Sequence, residues 1–204
     1  MNDPVNRRRR GLVLGFAALP VSGFASLRQT PPGSEGPFYP TPSMRFTDTD
    51  NDLVRIESQV RDAGGEVVRI GGRVLDTAGQ PVAGARVEIW QCDANGRYLH
   101  SGDRGGKARD AAFQGFGYDI SSASGEYRFR TIKPVPYPGR TPHIHVKVLI
   151  DGRARLTTQF YLAGHPGNAR DWLYGRIAPE LRDRVELKFE GGDDLPQARL
   201  DIVV

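Results

Sequence analysis

VVRIGGRVLDTAGQPVAGARVEIW, residues 67–90, decides the fold class. From Val67 to Leu75, and again from Ala85 to Trp90, apolar and polar side chains alternate. That is the period of a strand with one face in a core and the other outside it. The DTAGQPVAG between them (76–84) has the Gly, Pro and Asp content of a tight connection. Outward from this pair of strands, further strands are expected at Glu126–Arg130, His143–Ile150, Leu156–Leu162, Val185–Phe189 and Leu200–Val204. Gly and Pro between them leave room only for short helices, around Ala169–Gly175 and Pro179–Arg182. Many short strands separated by turns predict an all-β domain over residues 61–204, an antiparallel β-sandwich. Residues 26–60, rich in Pro, Ser, Thr and Asp, read as an extended N-terminal arm laid over that sandwich.

Residues 1–25 stand apart. Arg7 to Arg10 precede an apolar stretch from Gly11 to about Ala25, and Gly23-Phe24-Ala25 supplies small residues where a signal peptidase reads. The stretch is too short, and too interrupted by Pro20, for a membrane span. An export signal is therefore expected, with no integral membrane segment. Paired arginines followed by Gly11-Leu12-Val13 point to the twin-arginine route and a periplasmic or secreted location. Setting this segment aside removes four of the 28 basic residues and one of the 24 acidic ones, leaving 24 against 23. The basic excess is largely the signal's, so it gives no reason to expect a nucleic-acid partner. The remaining 179 residues (204 less 25) suffice for one well-filled core. With Cys92 alone, neither an intrachain disulfide nor a thiolate zinc cage can be built.

Chemistry is carried first by His143-Ile144-His145. On a strand, His143 and His145 point the same way and Ile144 the other. Two imidazoles one pleat apart can hold one metal ion, or can simply be two half-exposed histidines. PVPYPGRTP (134–142) lies just ahead, a stiff loop carrying Tyr137 and Arg140. Tyr98 follows Trp90-Gln91-Cys92-Asp93-Ala94-Asn95-Gly96-Arg97, where a strand runs into a turn. Phenolate is a hard, anionic ligand, and a trivalent ion would hold it deprotonated. Two phenolates with two imidazoles would suit iron(III) better than zinc, magnesium or calcium. Taken singly, each tyrosine reads equally as a packing aromatic.

Four blocks in order, GSEGPFYP (33–40), PVAGARVEIWQCDANGRYLH (81–100), GEYRFRTIKPVPYPGRTPHIHVKV (125–148) and LTTQFYLAGHP (156–166), resemble the intradiol ring-cleavage dioxygenases. That family includes the protocatechuate 3,4-dioxygenases and catechol 1,2-dioxygenases. The resemblance implies an Fe(III) enzyme whose partners are a small catechol-type molecule and dioxygen, giving a muconate-type diacid. It implies Tyr98, Tyr137, His143 and His145 as metal ligands. Tyr137 would leave the metal to take a substrate proton, Arg140 would stabilise charge building on substrate oxygens, and Gln159 would line the same pocket. Trp90 and Tyr39 fall where the family has aromatics close to the site. Family members commonly assemble, so a homo-oligomer stays open, as does the identity of the catechol.

This chain departs from several members in one respect. Only five residues separate Tyr137 from His143, where others carry a long insertion that helps wall the pocket. Two other classes of reading compete. GGRVLDTAGQPVAGARVEIW also resembles β-sandwich modules that serve as spacers on exported proteins, which have no need of the tyrosine and histidine set. An iron(II) enzyme, such as an extradiol dioxygenase, would use His143 and His145 with Asp93 or Asp119.

Overall fold

The computed structural model describes residues 26–57, 61–192 and 194–204, so the expected export signal lies outside the described residues. The strands are β1 (Val67–Leu75), β2 (Arg86–Trp90), β3 (Phe116–Ile120), β4 (Glu126–Ile132), β5 (His143–Ile150), β6 (Arg153–Leu162), β7 (Glu186–Leu187), β8 (Gln197–Arg199) and β9 (Ile202–Val203). The α-helix among the described residues, α1 (Trp172–Gly175), is a single turn, lying between 3-10 turns at Pro166–Arg170 and Pro179–Arg184. One sheet has the order β4-β1-β8, with β9 also on β1; the other is β3-β2-β5-β6-β7. Ile70, Val74 and Phe129 of the first sheet meet Val87, Ile89, Ile144, Val146 and Phe160 of the second in one core.

The antiparallel-only expectation is corrected, because both sheets are mixed. β8 and β9 pair parallel to β1, and β7 pairs parallel to β6. Connection length is the reason. A tight turn reverses the chain between β5 and β6, but residues 163–185 carry it through the helical turns before β7, long enough to return it in the same direction. β3 is an addition to the expected strands, and the predicted C-terminal strand is shorter and preceded by β8. The arm also does more than lie over the sandwich. Leu53 and Val54 are fully buried in the core. The Leu53 N–H donates to the Arg130 carbonyl at 2.8 Å, and the Gln114 N–H donates to the Leu53 carbonyl at 2.9 Å. Nearer its start, Thr30 N donates to Val203 O at 3.0 Å and Gly33 N to Thr157 O at 2.7 Å.

The period of two in β5 sets up the site. Ile144, Val146 and Val148 are fully buried, and each stabilises the fold by roughly 1.5–3 kcal/mol. Their burial fixes the register, since a one-residue slip would send them outward. His143 and His145 consequently lie on the opposite face. In register, Trp90 of β2 pairs with His145 and His145 with Gln159 of β6, while His143 pairs with Tyr161. One row across three strands thus carries an indole, an imidazole and an amide.

Candidate metal centre

Tyr98 and Tyr137 reach this face from loops. Asp93 shapes the first: its Oδ1 accepts from Asn95 N at 2.8 Å and from Arg97 N at 2.9 Å, and its backbone N–H donates to the Arg97 carbonyl at 2.8 Å. Asp103 then takes the Tyr98 N–H at 2.6 Å. The second loop is a β-turn, Tyr137-Pro138-Gly139-Arg140, closed by Arg140 N donating to Tyr137 O at 2.9 Å. Proline followed by a glycine at φ +83° is the residue order of a type II turn. The turn brings its first and fourth residues, Tyr137 and Arg140, onto one site.

Tyr98, Tyr137, His143 and His145 converge. The Tyr98 hydroxyl lies 3.4 Å from His143 Nε2, and His143 Nε2 lies 3.2 Å from His145 Nε2. Tyr137 stands edge-on to Tyr98 with ring centroids 5.5 Å apart, and 5.4 Å from the His143 ring. Tyr98, His143 and His145 are buried, whereas Tyr137 is only partly so. Trp90 stacks on His145 at 4.8 Å and 9°. Phe38 of the arm covers Tyr98 at 5.0 Å, and Gly36 approaches the opposite side of the cluster against His145.

Arg140 points its guanidinium into the cluster. Nε donates to Asp171 Oδ2 at 2.8 Å, Nη2 donates to Gln159 Oε1 at 2.6 Å, and Nη1 is 3.4 Å from His143 Nε2. Gln159 is itself held by Tyr161 Oη, which donates to Oε1 at 2.9 Å, and by its own Nε2 donating to Ser34 O at 2.8 Å. Tyr39 sits one layer away. It meets Trp90 edge-on at 4.9 Å and donates to Glu88 Oε2 at 2.6 Å. Burial and then Glu88 push its hydroxyl up to about 12. Asp171, Tyr161, Ser34 and Gly36 were not singled out from sequence. Asp171 carried only a helix-capping signal, directly before Trp172-Leu173-Tyr174, and its pairing with Arg140 is purely tertiary.

The donor set fits a metal. His143 Nδ1 donates to the Thr141 carbonyl at 2.7 Å, which leaves its Nε2 lone pair facing inward. Burial, reinforced by the Arg140 charge, pushes the His143 imidazolium down to about 4. Burial, then His143 and Arg140, hold His145 well below its ordinary value. Both rings are therefore neutral near pH 7, with Nε2 atoms facing each other at 3.2 Å. Two neutral nitrogens at that distance are held by a proton shared between them, or by a cation that takes both lone pairs. His145 Nδ1 is buried without a well-formed hydrogen bond, the Ser34 backbone being its nearest source of stabilisation. Burial likewise raises Tyr98 well above an ordinary phenol and raises Tyr137, where Arg140 and Tyr98 oppose it. A polyvalent cation reverses that preference and holds phenolates.

An iron(II) arrangement would need Asp93 or Asp119, and both are occupied elsewhere. Asp93 binds the backbone of its own turn and the Asp110 N–H, and Asp119 accepts from Ile120 N and Arg128 N. No group of three or more His, Cys, Asp or Glu among the described residues could hold a metal ion. A groove of about 600 Å³ lies on the outer face of the other sheet, lined by Arg69, Gly71, Arg128, Arg130 and Arg199 among others. None of the four donors lines it, and Asp194 and Asp52 pair with Arg69 and Arg130.

Fold and site together define a class: a mostly-β sandwich with few helices and a two-tyrosine, two-histidine cluster on the outer face of its five-stranded sheet. A dioxygenase family model matches residues 34–204, and the chain belongs to the intradiol ring-cleavage dioxygenase family. Members of this family use non-haem iron. The chain is similar to the protocatechuate 3,4-dioxygenase beta chain of Burkholderia cepacia, 38% identical over 148 residues, covering 69% of this chain and 63% of that one. It thus spans less than two thirds of that curated relative's length, and 41% of a hydroxyquinol 1,2-dioxygenase from Rhodococcus opacus that is 35% identical over 54% of this chain. Among solved structures it is similar to the dioxygenase domain of a dioxygenase carbohydrate-binding protein fusion from Streptomyces sp. SirexAA-E. That likeness has 30% identity and a TM-score of 0.64, covering 87% of this chain and 98% of that one. No helix among the described residues is long and apolar enough to cross a membrane.

Proposed function

We propose that this chain is an intradiol dioxygenase that opens a catechol-type ring between its two hydroxylated carbons with dioxygen, giving a muconate-type diacid. The observation that carries the reading is the convergence of Tyr98, Tyr137, His143 and His145 on one point with no carboxylate among them. These four would hold iron(III). Bound there, iron(III) would supply the Lewis acidity that keeps a catechol as its dianion and makes a ring carbon reactive toward dioxygen. The protein's own residues do the rest. Tyr137, the least buried donor and the one on a turn, held as a phenolate would accept one substrate hydroxyl proton at its Oη, and the second would leave to solvent hydroxide. Arg140 Nη1 faces the developing negative charge from a fixed position. Gln159 and Tyr161 keep the arginine's second nitrogen engaged. Trp90 and the arm exclude water from His145.

The short Tyr137–His143 loop leaves the turn exposed at Pro138 and Gly139, which favours catechols bearing larger substituents. Export by the twin-arginine route, with a periplasmic or secreted enzyme, is part of the same proposal and rests on residues 1–25. The test is the visible spectrum of iron-loaded protein before and after anaerobic catechol. A broad tyrosinate-to-iron(III) band that moves to longer wavelength, and that loses much of its intensity in Tyr98→Phe, supports the reading. A colourless protein with iron bound sinks the two-phenolate site, and a correctly folded protein that takes up no iron favours a non-catalytic sandwich module.

A further inference from the structure

Asp171 is the most fully committed carboxylate near the cluster, and neither the donor set nor the proton step uses it. Its side chain is 0% exposed and that of Arg140 11%. Oδ2 accepts from Arg140 Nε at 2.8 Å and from Thr141 N at 2.9 Å. Oδ1 accepts from Leu173 N at 3.0 Å and Tyr174 N at 3.1 Å, capping α1. Two restraints on the site follow. A guanidinium is planar, so fixing Nε at Asp171 and Nη2 at Gln159 leaves one direction for Nη1, toward His143 Nε2 at 3.4 Å. The Thr141 peptide is held at its N–H by Asp171, while its carbonyl takes the His143 Nδ1 proton at 2.7 Å. One carboxylate therefore fixes where the arginine points and also takes the Thr141 N–H. Arg140 needs such a tether, because it ends a turn whose Pro138 and Gly139 are exposed and offer it no packing.

We infer that Asp171 is a positioning residue, anchoring Arg140 to α1 so that Nη1 meets the charge building on a bound catechol; this rests on the proposed function. Asp171→Ser separates positioning from helix capping, since serine keeps a capping oxygen for α1 but cannot hold the guanidinium. The expected result is a kcat/KM for catechol lower by roughly 10- to 100-fold, the value of a charge-assisted hydrogen bond. The loss falls on kcat more than KM, while iron content and the resting tyrosinate band are kept. In an Arg140→Ala background the same substitution costs almost nothing further. Losses that multiply in the double variant, or a lost resting band, would instead assign Asp171 a purely structural role.

A second measurement needs neither iron nor turnover. In ¹⁵N-labelled metal-free protein, the Arg140 Nε–H resonance, assigned by its absence in Arg140→Ala, is expected to exchange slowly with water and to lose that protection in Asp171→Ser. An Arg140 Nε–H that exchanges in wild type as fast as exposed arginines overturns the inference, even if Asp171→Ser fails to fold. Slow exchange in a protein without ring cleavage sinks the functional reading and leaves the tether standing.

Discussion

Gly36→Ala makes the arm's part in the site measurable. Gly36 has φ +70°, and a Cβ there would lie 3.1 Å from His145 Cε1. Left-handed backbone alone costs a non-glycine residue about 1–2 kcal/mol. The second cost is steric, and the imidazole cannot step aside, because Trp90 stacks on its face at 4.8 Å. The ring must shift by a few tenths of an ångström or the arm must lift, and either move spoils the alignment of Nε2. Gly84→Ala is the control: it has φ +72° with nothing within 4 Å of the added atom. Both variants are expected to melt roughly 2–8 °C lower, from about 1–2 kcal/mol in a chain of this size. Only Gly36→Ala is expected also to weaken iron(III) uptake, by roughly tenfold for about 1.4 kcal/mol of misplaced ligand, read by titrating the visible band against a competing chelator. Equal iron affinity in the two variants would refute the claim that the arm holds His145 in place.

Two more expectations concern groups outside the donor set. Burial and then Asp93 push the Cys92 thiol up to about 12, so a thiol reagent should label it only after denaturation, and prompt labelling of native protein would contradict the packing described. At Asp110, burial raises the carboxyl, but bonds from Gly64 N, Ala112 N and Arg61 outweigh it and hold the carboxyl below its ordinary range. The folded state then binds this proton less readily than the unfolded one. Its contribution is complete above about pH 4 and disappears as pH falls below that. Acid denaturation curves should be steeper below that point in wild type than in Asp110→Asn, and parallel curves would argue against the assignment.

The sandwich was legible because period-two alternation reports burial on one face, and β1, β4 and β5 follow it closely. β3 was not, because Gly115, Gly117 and Asp119 read as turn residues. A Cβ at Gly117 would sit 2.4 Å from Asp50 O, so a glycine there reflects the arm crossing β3, which no local pattern encodes. Strand direction at the C-terminal end escaped for a related reason: pairing sense depends on where a long connection returns. At the site, His143 and His145 could be placed on one face from strand geometry alone. Tyr98 and Tyr137 needed the family resemblance, since nothing local tells a converging phenol from a packing one. Asp171 shows the limit most clearly: its capping role is written in the residues after it, while its partner lies 31 residues earlier.

The parallel strands laid on β1 in the first sheet impose an order on synthesis. Thr30 is held by Val203, through Thr30 N to Val203 O at 3.0 Å and Val203 N to Thr30 Oγ1 at 2.9 Å, while β9 itself lies along β1. A nascent chain that has already made all four donors still lacks the strand that fastens the arm beside them. Until residues 202–203 emerge from the ribosome and pair, the arm lacks its anchor at Thr30, and its bonds to Thr157 and Gln159 must seat it beside His145 without that support.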